Sequence, residues 1–311
     1  MKRYLHTLIA LLCLCICQSL PAQKKPKKEL YIPMDYSTCG YHASERTIPN
    51  VPVVAYVEWQ EGDCSPIIQQ AIDQVAKTKV KANGIRGAIL LGEGTFHIDQ
   101  PLRIAASGIV IRGMGREKTI LVKHGVDRGA LIYVEGKRAK ETPTSDTLYI
   151  YEDKLTAGST TFTVNAFPKD INVGDRIHIV RPSTRPWIES LRMEDFGGGL
   201  DYTGWKPTDI DITYDRTITA NDGNQVTIDA PITTTISQEF GGAYLIPHRP
   251  TGELTECGIE NLTLESAIND WNPKDEDHCW DGIFMENVRD SWVRRVNFRH
   301  LAGSAVNLQK H

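Results

Sequence analysis

The sequence predicts an all-β protein built as a parallel β-helix, with one α-helix near its N-terminal side and a small β-domain inserted between turns. Three observations lead there. From Gly87 onward, short apolar stretches follow one another with glycines between them and no helical pattern. Nine-residue phrases recur 34 residues apart, CGIENLTLE at 257–265 and SWVRRVNFR at 291–299. A stretch richer in Thr, Asp and Gly, 142–248, separates the first strands from that repeat.

The chain has 311 residues, with 35 Lys and Arg against 39 Asp and Glu, a net charge of −4. Hydrophobic residues make up 41% and charged residues 24%, a globular balance rather than a disordered one. The mild acidity argues against a partner bound by phosphate neutralisation, so no nucleic acid is expected.

Residues 1–23 read as a secretory signal peptide. Lys2 and Arg3 supply the basic start, Leu8 to Leu20 the apolar run, and Pro21, Ala22 and Gln23 the cleavage region. The run is short for a membrane anchor. The expectation is an exported protein, periplasmic or extracellular, with no membrane partner after cleavage. Cys39, Cys64, Cys257 and Cys279 remain, in spacings that match no zinc motif. Export permits disulfides, and four cysteines allow three pairings.

Residues 24–60 form an N-terminal arm, with Lys24, Lys25, Lys27 and Lys28 as a solvated tether. The first β-helix part spans 61–141 and opens on a helix within 61–79. Ser65 is its expected cap and Pro66 its first residue. Ile67, Ile68, Ala71, Ile72, Val75 and Ala76 make one apolar face. Strands follow at Ala88–Leu91, Thr95–Ile98, Leu102–Ile104, Gly108–Arg112, Thr119–Val122 and Ala130–Val134. The absence of crossover helices excludes a doubly wound sheet.

The insertion, 142–248, carries strands at Thr160–Val164, Arg176–Val180, Thr217–Ala220, Gln225–Ile228 and Ala243–Ile246. Asn221-Asp222-Gly223-Asn224 is a hairpin turn. The β-helix resumes over 249–311. Ile259, Leu262 and Leu264 align with Val293, Val296 and Phe298 at 34 residues, and DGIFME at 281–286 aligns with GSAVNL at 303–308 at 22 residues. Two interleaved strand columns, each repeating, are what stacked turns produce. The longer interval contains a loop around Ala267–Trp280.

The phrases SPIIQQAID, GAILLGEGTFHI, PLRI and SGIVIRGMG followed by TILV resemble the pectate-lyase superfamily. More closely, they are similar to the domain shared by rhamnogalacturonases and epimerase-like β-helix proteins. The resemblance covers 61–134 well and 254–311 more weakly. It implies a right-handed parallel β-helix whose first end the helix caps, with Gly92 and Gly94 where the family usually has Pro-Gly. The stretch 275–306 looks like a motif of secreted bacterial β-helix proteins thought to act on polysaccharides. The scaffold hosts many activities, so the chemistry has to come from the site.

Asp275, Glu276, Asp277 and His278 form the densest ionisable cluster, flanked by Trp271 and Trp280. Carboxylates bond sugar hydroxyls or a calcium ion, and indole faces stack on a pyranose. The three acids are the candidate calcium ligands. A solvated acidic turn is the plainer alternative. His278 and His300 each precede an aligned strand start by three residues, which would stack them about 5 Å apart on successive turns. Arg294 and Arg295 should point to opposite faces: one outward to a uronate carboxylate, the other paired with Asp290 or Glu286. In the insertion, Arg181, Trp187, Trp205, Asp215 and Arg216 stand out. Arg181 and Trp187 are candidate glycan contacts, against the plainer reading that Trp187 and Trp205 hold a long loop in place.

The expected partner is a polysaccharide. In β-elimination His278 is the base, with Arg294 or Arg295 on the substrate carboxylate. Hydrolysis needs two opposed carboxylates, for which Asp281 facing Asp275 is the available pair. A non-catalytic carbohydrate-binding β-helix is the third reading. Without signal, arm and insertion, 144 residues remain for the β-helix, a handful of turns. The strand Ala305–Leu308 lies almost at the last residue, so a truncated member of a longer family is expected.

Overall fold

The structure, a computed structural model, describes residues 31–137, 147–165, 171–197, 204–248, 251–269, 271–272 and 274–309. The chain divides into two compact units, Met1–Pro33 and Met34–His311, and every described helix and strand belongs to the second. The proposed signal segment and the Lys24–Lys28 tether lie outside the described residues. Among the described residues, no helix is long and apolar enough to cross a membrane.

The first strands are β1 (Val53–Val57), β2 (Gly87–Leu91), β3 (Gly94–Ile98), β4 (Leu102–Ile104), β5 (Ile109–Gly113), β6 (Thr119–Lys123) and β7 (Ala130–Glu135). Then come β8 (Leu148–Tyr149), β9 (Lys154–Leu155), β10 (Thr161–Thr163), β11 (Arg176–Arg181), β12 (Ile212–Asp222), β13 (Gln225–Ile228), β14 (Ile236–Ser237) and β15 (Tyr244–Pro247). The last are β16 (Leu254–Thr255), β17 (Gly258–Ser266), β18 (Asp281–Glu286), β19 (Val288–Arg289), β20 (Trp292–Arg299) and β21 (Val306–Gln309). The helices are α1 (Ser65–Ala76) and α2 (Arg185–Ser190).

Successive turns lie parallel on one another in three ladders. Ile89 pairs with Ile111, Ile111 with Ile259, and Ile259 with Val293. Phe96, Leu121, Leu264 and Phe298 make the second ladder. Leu102, Ile132, Ile283 and Val306 make the third. Most of these side chains are fully buried, and all belong to or pack against one apolar core. This is a coiled parallel sheet, the β-helix topology read from the repeat.

The 34-residue register is observed as expected. The 22-residue one is not: Ile283 sits on Val306, an advance of 23. The strand β21 begins later than the apolar pattern suggests, because Gly303 and Ser304 belong to the turn that accepts and donates bonds around Trp280.

In α1 the buried residues are Ser65, Ile68, Ala71, Ile72 and Val75, so its apolar face joins the main core. Ser65 is not its cap, which is Cys64. The Ser65 hydroxyl instead accepts from the Asp99 and Gln100 amides, while Asp63 accepts from the Ser65 amide and hydroxyl. The capping chemistry is thereby used to fasten the helix start to the bend that follows β3.

The segment between β7 and β16 builds an antiparallel sheet in the order β10-β13-β12-β11-β15-β8. Its apolar side chains, among them Phe162, Ile177, Ile179, Val226 and Leu245, form a second core. The β12–β13 hairpin closes where Asp222 pairs with Gln225, and Gly223 sits in the left-handed region that the turn requires.

All four described cysteines are free thiols. Burial pushes the Cys257 and Cys279 thiols up to about 11.

Residues 34–52 run over the outer face of the β-helix and change its electrostatics. Glu260, fully buried on that face, accepts bonds from Arg112, Arg294 and the Trp292 indole. Arg294 also donates to the carbonyls of Ile48 and Pro49. Gly258 leaves room for Trp292, since a Cβ there would meet the indole at 2.4 Å. Tyr41 and His42 bond Glu256, and His42 also reaches Asp290.

Two outcomes follow from this packing. Leu264→Ala should lower the unfolding free energy in urea by about 2–5 kcal/mol. An unchanged midpoint would place Leu264 outside the core. Burial raises the Glu260 carboxyl, but bonds from Arg294 and Arg112 outweigh it and hold the group below its ordinary value. Its stabilising effect is therefore complete above the unfolded glutamate value near 4.3 and fades as pH falls through the lower folded value. Glu260→Gln should be less stable at neutral pH and show a flatter acid limb in urea unfolding. An acid limb identical to the parent's would refute the role given to Glu260.

Candidate functional site

The loop that leaves β17 and the turn that leaves β20 enclose a cleft of about 500 Å3. Ile268, Asn269, Asn272, Lys274, Asp275, Glu276, His278, His300, Leu301 and Ala302 line it. The long interval between β17 and β18 thus builds a wall beside the regular turns. Both histidines singled out by the sequence face one cavity.

They are not equivalent members of a stack. His278 is buried; its Nδ1 lies 2.9 Å from the Ser266 hydroxyl and its Nε2 3.1 Å from the Asp275 carbonyl. The carbonyl can only accept, so Nε2 carries a hydrogen. Both ring nitrogens are engaged, and His278 holds the loop to the end of β17. His300 is half exposed in the left-handed region, with Nδ1 3.6 Å from Glu265. It is the histidine open to a ligand. The 23-residue register explains why equal spacing from the two strands does not stack the rings.

An imidazole pair does bond across successive turns elsewhere. His97 on β3 and His124 just after β6 lie 2.7 Å apart, Nδ1 to Nε2.

The acidic residues serve the loop. Asp277 accepts two bonds from Arg128, and the Asp275 side chain accepts from the Asp277 amide. The Glu276 carbonyl accepts from the Trp280 indole. Asp281 is committed to the next turn, with one oxygen on the Ser304 amide and the other on the Asn307 side chain. It makes no bond toward Asp275. Among the described residues, the three side chains whose ligand atoms converge as for a metal ion are His178, Asp215 and His248, not Asp275, Glu276 and Asp277.

The tryptophans divide. Trp271 is 97% exposed at the tip of the loop, whereas Trp280 lies beneath the Arg128 guanidinium. Trp187 stacks on Trp205 at 5.8 Å, and Arg181 covers Trp187 at 3.9 Å. This aromatic cluster belongs to the inserted sheet, next to the turn Arg181–Thr184. Arg216 is bonded to the carbonyls of Ala230, Pro231 and Asp215.

The arginine pair departs from simple alternation. Asn261 and Arg295 both adopt left-handed backbone, with φ of 59° and 53°, at the corner where β17 and β20 bend. Arg295 is exposed there, and Arg294 pairs with Glu260 rather than with Asp290 or Glu286. Neither lines the cleft.

Sequence reasoning missed Lys274, Ser266 and Lys123. Lys123 occupies an inward position of β6, is buried, and reaches Asp127. Its neighbour in register on β17 is Ser266, the partner of His278. The signal was present: a lysine at an inward position in the run TILVK.

No family model and no curated protein matches the chain. Three solved structures are similar at low identity. The Gp54 tailspike of Acinetobacter baumannii bacteriophage AP22, solved with A. baumannii capsular saccharide, is 13% identical over 76% of this chain and 33% of its own, with a TM-score of 0.36. The gp61 tailspike of Pseudomonas phage phi297 is 13% identical over 78% and 41%, at 0.37. The gp49 tailspike of Pseudomonas phage LKA1 is 14% identical over 78% and 39%, at 0.36. The chain spans about a third to two fifths of the length of these tailspikes.

Because His278 satisfies a buried hydroxyl, His278→Ala should act on stability. The expected loss is about 1–3 kcal/mol in urea unfolding. Wild-type stability with altered glycan chemistry would instead make His278 a reacting group.

Proposed function

We propose that the protein is an exported polysaccharide-processing β-helix protein that takes a uronate-containing glycan in the cleft and cleaves it by β-elimination. The observation that supports this reading is the convergence of His300, Lys274 and a shelf of amide and acidic groups in one open cleft. His300 supplies the base, because its ring is the accessible one; Glu265, 3.6 Å from Nδ1, favours the imidazolium that forms when the ring takes the proton. Lys274 neutralises the substrate carboxylate, which acidifies the proton on the carbon beside it; as His300 takes that proton the double bond forms, the bond from the next carbon to the glycosidic oxygen breaks, and the leaving oxygen takes a proton from water. Asn269 and Asn272 bond sugar hydroxyls, and Trp271 offers an indole face to the chain beyond the cleft. The right-handed coil and the capping role of α1 belong to the same reading.

Hydrolysis is less well supported. It needs two opposed carboxylates, and Asp281 is bonded through both oxygens to the next turn. Non-catalytic glycan binding is the second reading, favoured by the full hydrogen bonding of His278.

The test is incubation with a panel of uronate polymers while recording the ultraviolet absorbance of the unsaturated product. The parent chain should produce it, and His300→Ala should lower the rate by roughly 100-fold or more. Lys274→Ala should weaken binding of uronate chains more than of neutral ones. Retained glycan binding without any product on every polymer would favour the binding reading. Unchanged turnover in His300→Ala would overturn the assignment of the base.

A further inference from the structure

His178, Asp215 and His248 meet on the face of the inserted sheet opposite its apolar core. Alternation along β11 puts Ile177 and Ile179 into that core and His178 on the other side. Asp215 is the direct cross-strand partner of His178 on β12. His248 follows β15, and its amide donates to the Arg176 carbonyl at 2.9 Å. Three strands thus deliver three side chains to one place. Their ligand atoms all lie within 4.8 Å of one another. His178 and His248 are 3% and 8% exposed, with rings 3.8 Å apart.

We propose that these residues form a structural site for a borderline divalent metal ion of the zinc class. Two imidazoles and one carboxylate suit zinc, cobalt or nickel, and two nitrogen donors argue against calcium or magnesium. Arg176 donates to both Asp215 oxygens, the outer-shell bonding that fixes a ligating carboxylate. The other edge of Arg176 meets Glu253, just before β16, and Glu253 meets Arg289 on β19. A metal here ties three strands of the insertion to the point where the β-helix resumes. Ligands about 2.0–2.1 Å from one zinc ion lie closer together than 4.8 Å. Binding therefore turns the near-parallel rings, which stand at 22°, until their lone pairs converge.

The site is independent of the cleft, and so is its test. Tag-free full-length chain, stripped with a chelator, is titrated with Zn2+ by calorimetry and with Co2+ by visible absorption. One equivalent should bind, with the visible bands of low-symmetry Co2+, and X-ray absorption of the zinc form should show two imidazoles. His178→Ala and His248→Ala should each weaken binding by at least the roughly 10–100-fold that a lost outer-shell partner costs. His97→Ala, which breaks the other imidazole pair, should leave it unchanged. Absence of one saturable equivalent in the parent chain overturns the proposal, whatever the variants do. Loss of binding in His97→Ala rather than in His178→Ala overturns it as well.

Discussion

The stacking of inward apolar side chains from turn to turn is the constraint on which the rest of the molecule depends. Ile89, Ile111, Ile259 and Val293 stand in one such file, and two other files run beside it. Each turn alone exposes one apolar edge to solvent, so no turn is stable without its neighbours. The file passes without a break from Ile111 to Ile259, although the whole antiparallel insertion lies between them in the chain. An insertion is tolerated where both of its ends return to the same turn, because the ladder bonds on either side are undisturbed.

The outer face obeys a different rule. Along β17 and β20 the residues turned away from the core include Glu260 and Arg294, which in an exposed sheet would be solvated and energetically minor. Residues 34–52 cover them, and the carboxylate becomes a buried anion held between two guanidinium groups. A buried charge is tolerated only with such partners, so the covering segment and the charge cluster require each other.

The cleft is a consequence of the same coil. Regular turns are short and leave little beyond the sheet; the longer interval between β17 and β18 supplies the wall. His278 fixes that wall to Ser266 at the end of β17, which leaves His300, Lys274 and the amides facing solvent. One histidine of the pair builds the site, and the other is available to a ligand.

The sequence by itself determined most of the longer strands, though not β1 in the arm, and with them the apolar face of α1, the hairpin at Gly223 and the 34-residue register. Each depends on local alternation or on turn residues, and hydrophobicity acts on every position in the same way. It also marked the loop around Ala267–Trp280 as the place where polar and aromatic groups gather. Only the tertiary structure decided which of them act together. The left-handed corners at Asn261 and Arg295 break the alternation that assigned the two arginines to opposite faces. One additional residue in the β18–β21 register separates His278 from His300. Glu260 finds Arg112 148 positions away, and Tyr41 finds Glu256 215 positions away. The free energy of a charge depends on what lies within a few ångströms in space, and no local pattern carries that information.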